Sequence, residues 1–295
     1  MTTNAIEFTN GRLKITGDIL TYEVFAKPFR IGQRQPREKK TSRFKSDKPI
    51  TRTRNLYAAK RNLTDWINTN VKTDIGKDGK PIPPIFITLT FADDVTELNE
   101  AHLEFKKFVG RVNYQIFHSK TSALKYAATF EIQNKRLTKY GVAVWHYHCI
   151  FFNWEMIDDH TGVTEKRRFW DNKDKKILHN LWDNGFVDIR DISQVSDAGW
   201  YMTKYMVKDG NDPRLNGRIS YLISKKLIKP GTIYSVDFAN MLINDLPKDC
   251  LQYVKTGIKV NYLESKDKII FNLSKHPELR ARNEQLIKQY FGKNF

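Results

Sequence analysis

Cysteine is scarce in this sequence, since only Cys149 and Cys250 occur among 295 residues. They lie roughly a hundred positions apart and form no C-x-x-C pair. A disulfide framework or a zinc ribbon needs paired or closely spaced cysteines, so the sequence supports neither. We predict that both cysteines are reduced.

Long apolar runs and nucleotide-binding loops are also missing. No apolar stretch approaches the roughly 20 residues that a membrane-spanning helix needs, and no signal-peptide pattern opens the chain. The glycines and lysines at 76–80 lack the G-x-x-x-x-G-K-[ST] spacing that cradles phosphates. We therefore expect a cytoplasmic protein with no membrane contact and no P-loop ATPase or helicase module.

Basic residues, in contrast, are in excess. Fifty Lys and Arg against 33 Asp and Glu give a formal net charge of +17, which attracts polyanions and nucleic acid first of all. Many of them form a basic arm between residues 30 and 61, for which a merely solvated charged segment is the alternative interpretation. The residues predicted to contact DNA are Arg34, Arg37, Lys39, Lys40, Arg43, Lys45, Arg52 and Arg54.

The periodicity of apolar residues predicts a mixed fold. Helical spacing occurs at 51–70, 97–117, 172–182 and 197–208, and strand-like runs occur at 85–91, 124–133, 142–153 and 186–192. From residue 85 the order is β-α-β-β-α-β-α, which favours an α+β fold, an antiparallel sheet with flanking helices of the split ferredoxin-like kind. Weaker patterns predict a hairpin around Gly17, strands at 220–228, 233–238 and 267–272, and a helix at 278–290.

The segment WHYHCIFFN places two histidines on one predicted strand. His146 and His148 are two residues apart, so both imidazoles project from the same face of the sheet. The preceding strand carries Glu131 inside an apolar run, where a buried carboxylate needs a cation or hydrogen bonds. Two histidines and one carboxylate leave open positions on a divalent ion, as a catalytic site requires. Ordinary hydrogen-bonded histidines and a Glu131 paired with a nearby Lys or Arg are the alternatives.

A third motif, GWYMTKYMVK, combines tyrosines with lysines. Tyr201 and Tyr205 stand at i and i+4 of a predicted helix, with Lys204 and Lys208 three residues after each. All four side chains would fall on one helical stripe, and lysines in that stripe argue against burial of the tyrosines as core filler.

These motifs, in the order FITLTF, H-x-H and Y-x-x-K-Y-x-x-K, resemble those of HUH rolling-circle replication initiators. The sequence is most similar to the replication proteins of microvirus-type single-stranded DNA phages and related plasmid initiators. Glu131 before the H-x-H strand and the segment LWDNGFV at 181–187 fit the same resemblance, which spans about residues 51–230.

The resemblance implies a catalytic mechanism and a set of partners. His146, His148 and Glu131 would hold Mg²⁺ or Mn²⁺, and Tyr201 or Tyr205, assisted by Lys204 and Lys208, would attack single-stranded DNA at a replication origin. Attack would leave a 5′-phosphotyrosine and a free 3′-OH, which the host replication machinery extends.

This interpretation divides the chain into an N-terminal extension with the basic arm (1–50), an HUH endonuclease domain (51–212) and a C-terminal extension (213–295). Three alternatives remain open. A tyrosine transposase or mobilisation relaxase uses the same kind of site, a non-catalytic basic nucleic-acid-binding protein would explain the charge, and a zinc-binding structural domain would explain the histidines.

Overall fold

The computed structural model describes residues 7–31, 49–155, 173–193, 195, 197–206, 220–260 and 264–291. In chain order its elements are β1 (Glu7–Thr16), β2 (Ile19–Ile31), α1 (Pro49–Asn70), β3 (Ile85–Phe91), α2 (Leu98–Gln115), β4 (Tyr126–Ile132), α3 (Asn134–Tyr140), β5 (Trp145–Phe151), α4 (Lys173–Trp182), β6 (Gly185–Asp191), α5 (Ala198–Thr203), β7 (Leu222–Ile223), β8 (Gly231–Ile233), α6 (Val236–Ile243), β9 (Leu251–Val260), β10 (Glu264–Asn272) and α7 (Pro277–Phe291). The fold is α+β, as the sequence predicted.

Contacts between residues divide the chain into two compact units. The central unit is Ser46–Ile228, and the flanking unit combines Met1–Lys45 with Lys229–Phe295. That residues 51–212 form a separate endonuclease domain stays a prediction. Within the described residues, no helix has the length and apolar character to cross a bilayer.

The central unit is built on an antiparallel sheet with the strand order β6-β3-β5-β4-β7. Helix α2 connects β3 to β4, and β5 lies between these two strands, so the βαβ unit is split by an antiparallel strand. This topology places β5, which carries the two histidines, between strands on both sides.

The two faces of this sheet bury different cores. Ile87, Tyr147 and Phe151 belong to the face that packs against α2 and α4. Phe86, Ile150 and Ala127 belong to the opposite face, where apolar residues of α1 and α5 cover part of the sheet. The alternation of large apolar residues on both faces explains why the strands read as nearly continuous hydrophobic runs.

The LWDNGFV segment forms the tight turn that joins α4 to β6. Trp182 is fully buried, and its indole Nε1 donates a hydrogen bond of 3.1 Å to the Thr90 carbonyl. Gly185 has a φ of 145°, and a Cβ there would lie 2.3 Å from the Thr90 carbonyl oxygen. Only glycine fits this approach, which sets β6 against β3.

The flanking unit contains a second antiparallel sheet, with the order β8-β1-β2-β10-β9. The predicted hairpin is confirmed, because β1 and β2 pair around Gly17, which has a φ of 64°. The predicted strand at 233–238 is wrong. Its first residue ends β8, and Ser235 then caps α6 by accepting a hydrogen bond from the Phe238 amide.

Candidate metal and tyrosine site

Cross-strand pairing brings Glu131, His146 and His148 together on one face of the central sheet. Glu131 on β4 lies directly opposite His146 on β5, and His148 follows two residues later on the same face. Glu131 Oε1 is 2.9 Å from His146 Nε2 and 3.2 Å from His148 Nε2. Each residue offers a ligand atom, and these atoms lie within 4.8 Å of one another, so the group could hold a metal ion.

Neighbouring side chains fix the orientation of His148. Thr88 on β3 lies opposite His148, and its Oγ1 is 3.2 Å from His148 Nδ1. The Phe86 ring stacks on the imidazole with a centroid separation of 5.5 Å. If Nε2 serves as a ligand, the ring proton lies on Nδ1 and donates to Thr88 Oγ1.

The donor set fits a divalent cation. Glu131 is 5% exposed and His148 is 6% exposed, so charge at this point is shielded from water. Burial would raise the pKa of Glu131, but hydrogen bonds from His146 and His148 lower it to about 2, which keeps the carboxylate ionised. His146 Nδ1 is buried without a hydrogen-bond partner among the described residues, so the group is not saturated by its protein contacts.

Helix α5, which carries the first tyrosine, is held tightly against α1. Asp197 caps it by accepting a 2.7 Å hydrogen bond from the Trp200 amide, and Asn68 of α1 donates to Asp197 at 2.9 Å. The Gly199 amide donates to Asn68 Oδ1 at 2.8 Å. A Cβ on Gly199 would lie 2.6 Å from the Thr64 carbonyl oxygen, so only glycine permits this separation of the helices.

With α5 docked in this way, Tyr205 lies beside His148, and Tyr201 lies beside Phe86 and Tyr205. The Tyr205 ring lies 4.1 Å from the His148 ring, measured between centroids. The Tyr201 ring packs edge-on against Phe86 at 5.2 Å, and the two tyrosine rings are 6.3 Å apart. The H-x-H strand and the tyrosine segment, separated by about 50 positions in the sequence, thus meet in one site.

The structure corrects the predicted geometry of the tyrosine helix. The α-helix ends at Thr203, and Lys204–Met206 form a 3-10 turn, so Tyr205 does not continue the α-helical stripe that begins at Tyr201. The Lys204 ammonium lies over the Tyr201 ring, 3.9 Å from its centroid. Lys204 is therefore close to both tyrosines, since its ammonium is also 5.2 Å from the Tyr205 centroid.

The Tyr205 hydroxyl is held in the neutral form at pH 7. Burial raises the pKa of Tyr205 to about 12, and the neighbouring Tyr201 adds to the rise. Ionisation of Tyr205 therefore needs a cation close to its oxygen.

Several predicted site residues lie outside what the structure describes. Lys208 falls within 207–219, and six basic-arm residues fall within 32–48. The six are Arg34, Arg37, Lys39, Lys40, Arg43 and Lys45. Arg52 and Arg54 are residues of helix α1.

Strand β6 contributes two site residues that sequence reasoning missed. Register places Phe186 beside Thr90, which in turn lies opposite His146, so Phe186 shares the site face and is 68% exposed. Arg190 follows on the same face. A hydrogen bond to Asp188 raises the pKa of its guanidinium, and the nearby Tyr201 adds to the rise. The sequence did offer a signal for them, because Phe186 and Arg190 are four residues apart on a predicted strand and therefore share one face.

A second cluster of ligand-type side chains lies in the flanking unit. Asp249, Cys250 and His276 have ligand atoms within 4.8 Å of one another. His276 Nε2 is 2.9 Å from Asp249 Oδ2, and its Nδ1 is 3.2 Å from Glu278 Oε1. Cys250 is a free, buried thiol of the flanking core, and Cys149 is likewise free and buried.

The antiparallel α+β core presents three features on one face of its sheet: the H-x-H strand, an adjacent carboxylate and the tyrosine segment. This arrangement is HUH-like. Residues 84–210 match the family model described as Replication-associated protein ORF2. The match confirms, over that part of the chain, the resemblance to microvirus-type replication initiators that the motifs predicted. No curated protein and no solved structure matches the chain.

Proposed function

We propose that this protein is a replication initiator that nicks single-stranded DNA at an origin with a tyrosine and later rejoins the ends, as in rolling-circle replication. The observation that carries the proposal is the contact of the Tyr205 ring with His148, in the same site as His146 and Glu131. A nucleophile and a set of metal-ligand side chains must meet for this chemistry, and these residues come from distant parts of the chain.

Glu131, His146 and His148 would hold the divalent ion, for which we propose Mg²⁺ or Mn²⁺. The bound ion would supply Lewis-acid stabilisation of the charge that develops on the scissile phosphate and on the tyrosine oxygen. Two imidazoles and one carboxylate leave positions for substrate oxygens, which a closed four-ligand structural site does not.

The tyrosine oxygen forms the new bond to phosphorus, and the bond from phosphorus to the 3′ oxygen of the preceding nucleotide breaks. The phenol loses its proton, and the departing 3′ oxygen gains one, so the products are a 5′-phosphotyrosine and a free 3′-OH. One phosphodiester is exchanged for another, so the reverse attack by a 3′-OH reseals DNA without a further energy source.

Lys204 and Arg190 would stabilise negative charge around the tyrosines. The Lys204 ammonium lies above both rings, and the proximity of Tyr201 helps to raise the pKa of the Arg190 guanidinium. Because Tyr205 has its pKa raised to about 12, nearby positive charge is required before its phenolate forms at neutral pH. Lys208 is proposed for the same role from its sequence spacing alone.

Two tyrosines in one site suit a process that needs two successive attacks. The first would stay joined to the 5′ end while the circle is copied by the host replication machinery from the free 3′-OH. The second would then cut the regenerated origin and allow the circle to be released. Their rings are 6.3 Å apart, so each can approach the same phosphate with small side-chain movements.

The substrate is proposed to be single-stranded origin DNA. Exposed Phe186 lies on the site face, where a base flanking the cut could stack on it. The basic arm and the start of α1 are proposed to bind the phosphate backbone.

The test is nicking of a labelled origin-derived circular single strand with Mn²⁺, Mg²⁺ or EDTA. We expect cleavage only with an ion, and a loss of at least about a hundredfold in His146→Ala and His148→Ala, because each removes a ligand. His118→Ala, which removes an exposed histidine away from the site, is the matched control. Ion-independent cleavage, or normal cleavage by both site variants, would show that the metal assignment is wrong.

A further inference from the structure

The sheet of the flanking unit has two unlike faces. Leu13, Tyr22 and Ile269 lie on the face that packs against apolar residues of α6 and α7. Both helices of this unit therefore cover the same face. The residues that alternate with this core along the strands form the opposite face of the sheet, which we call the basic face. No described helix of the unit packs its apolar side against the basic face.

Strand register arranges the basic face in rows. One row runs from Lys14 through Thr21 and Ile270 to Tyr253. The next row runs from Arg12 through Glu23 and Lys268 to Lys255, and Lys266 lies beyond it, opposite Phe25. Basic residues of these rows thus lie on three of the four adjacent strands, β1, β10 and β9.

The acidic group within these rows is already neutralised. Glu23 is 4% exposed, its carboxylate accepts a 2.6 Å hydrogen bond from Arg12, and it is also paired with Lys266. At the start of β10, Glu264 pairs with Lys27. The rows therefore carry a net positive charge.

Two lysines of the basic face stand directly opposite each other. Lys268 on β10 pairs in register with Lys255 on the exposed edge strand β9. Lys268 also lies directly opposite Glu23 on β2, whereas Lys255 is exposed on the edge strand, so Lys255 is the lysine of this pair that is more accessible to an external anion. Tyr253, two residues before Lys255, is 43% exposed on the same face and offers a flat surface for stacking.

We propose that the basic face binds single-stranded DNA, with its lysines contacting phosphates and Tyr253 stacking on a base. Charge complementarity selects a polyanion, and the combination of a sheet surface, spaced cations and an exposed ring suits an unpaired strand better than a duplex. The proposal rests on the proposed function for its choice of DNA, but the binding it describes needs no cleavage.

The experiment measures binding of a fluorescein-labelled thymidine 30-mer to the full-length protein by anisotropy, in EDTA and at several salt concentrations. The variant Lys14→Gln, Lys255→Gln, Lys268→Gln should bind more weakly at low salt. Its slope of log affinity against log salt should be less steep by about 2, since each phosphate contact on a single strand contributes roughly 0.7. Tyr253→Leu should weaken binding about tenfold, and Tyr253→Phe should restore it.

The matched control removes the same charge from the same unit but away from the strands, with Lys248→Gln, Lys275→Gln and Lys288→Gln. This control should keep most of the wild-type slope. A single change on the edge strand, Lys255→Gln, should lower the slope by about 0.7 even if the triple variant folds poorly.

Equal slopes for the triple variant and its control would overturn the proposal, and so would tenfold tighter binding of the corresponding duplex. Failure of the proposed function is separate, because a protein that binds the 30-mer through this face but never cuts DNA would support the basic face alone.

Discussion

Replacing Gly199 by alanine should move the tyrosines relative to the metal-ligand candidates, although none of these residues is itself replaced. The added Cβ would lie 2.6 Å from the Thr64 carbonyl oxygen and 2.9 Å from the Thr64 Cα, both of which are backbone atoms of α1. To reach an ordinary contact of about 3.4 Å, α5 would have to move by about 0.8 Å. Tyr201 lies two residues further along the same helix and would move with it.

Two magnitudes follow from this displacement. Overpacking of a tight contact costs about 1–3 kcal/mol of unfolding free energy, partly offset by the better helix propensity of alanine. A misplacement of about 1 Å in a reacting group can cost about a hundredfold in rate. We therefore expect a net loss of about 1–2 kcal/mol in stability and about a hundredfold loss in nicking.

The assay combines urea unfolding with single-turnover nicking of an origin oligonucleotide, and calorimetry with Mn²⁺ reports on the ligand group. Gly110→Ala is the matched control, because Gly110 lies within α2 and a Cβ there meets nothing within 4 Å. That control should gain about 0.5–1 kcal/mol and nick normally. Normal nicking by Gly199→Ala would refute the idea that this contact positions the tyrosines, and lost Mn²⁺ binding would show a wider disturbance.

Thr88→Val should weaken Mn²⁺ affinity about 10- to 100-fold in calorimetry, because His148 loses the acceptor that orients it. Thr129→Val should be nearly neutral, since the buried Thr129 hydroxyl has no hydrogen-bond partner among the described residues. Equal Mn²⁺ affinities for the two variants would contradict this role of Thr88. For Glu23, burial would raise the pKa, but Lys266 and Arg12 lower it, so its stabilisation is present above about pH 4.3 and is lost as the pH falls through the lower pKa. Glu23→Gln should therefore cost about 2–4 kcal/mol in urea unfolding at pH 7, with a smaller difference near pH 3, and a pH-independent difference would argue against the ion pair. Neutralising four residues of the basic arm should make log affinity for single-stranded DNA less steep in log salt without moving the cut site. The four are Arg37, Lys39, Lys40 and Arg43. An unchanged salt slope would show that the arm does not contact the DNA backbone.

Local patterns predicted the parts of the site that depend on one strand. His146 and His148 share a face because side chains alternate with period 2, and this holds in any sheet. The partnership with Glu131 needed only that β4 and β5 pair as neighbours, and the hydrogen bond from the Gln133 amide to the Val144 carbonyl at the end of the ladder continues that pairing. The short helix α3 between them lies in a stretch for which no helix was predicted.

Features that depend on distant contacts could not be predicted in the same way. The 3-10 turn at Lys204–Met206 departs from the helical spacing, and it lies against β4, a contact that sequence periodicity does not report. Phe186 enters the site only because β6 pairs with β3, more than 90 residues earlier in the chain. Strand β9 was missed because it is an exposed edge strand without alternation between buried and exposed residues.

The most direct test of the account is to identify the residue that becomes joined to DNA. An origin-derived single-stranded oligonucleotide and Mn²⁺ are incubated with wild type, Tyr201→Phe, Tyr205→Phe and the double variant, and any covalent adduct is digested and mapped by mass spectrometry. We expect phosphotyrosine at both positions in wild type, an adduct at the remaining tyrosine in each single variant, and no adduct in the double variant. An adduct that persists in the double variant, or cleavage by wild type that leaves no covalent protein–DNA product, would contradict tyrosine attack at this site.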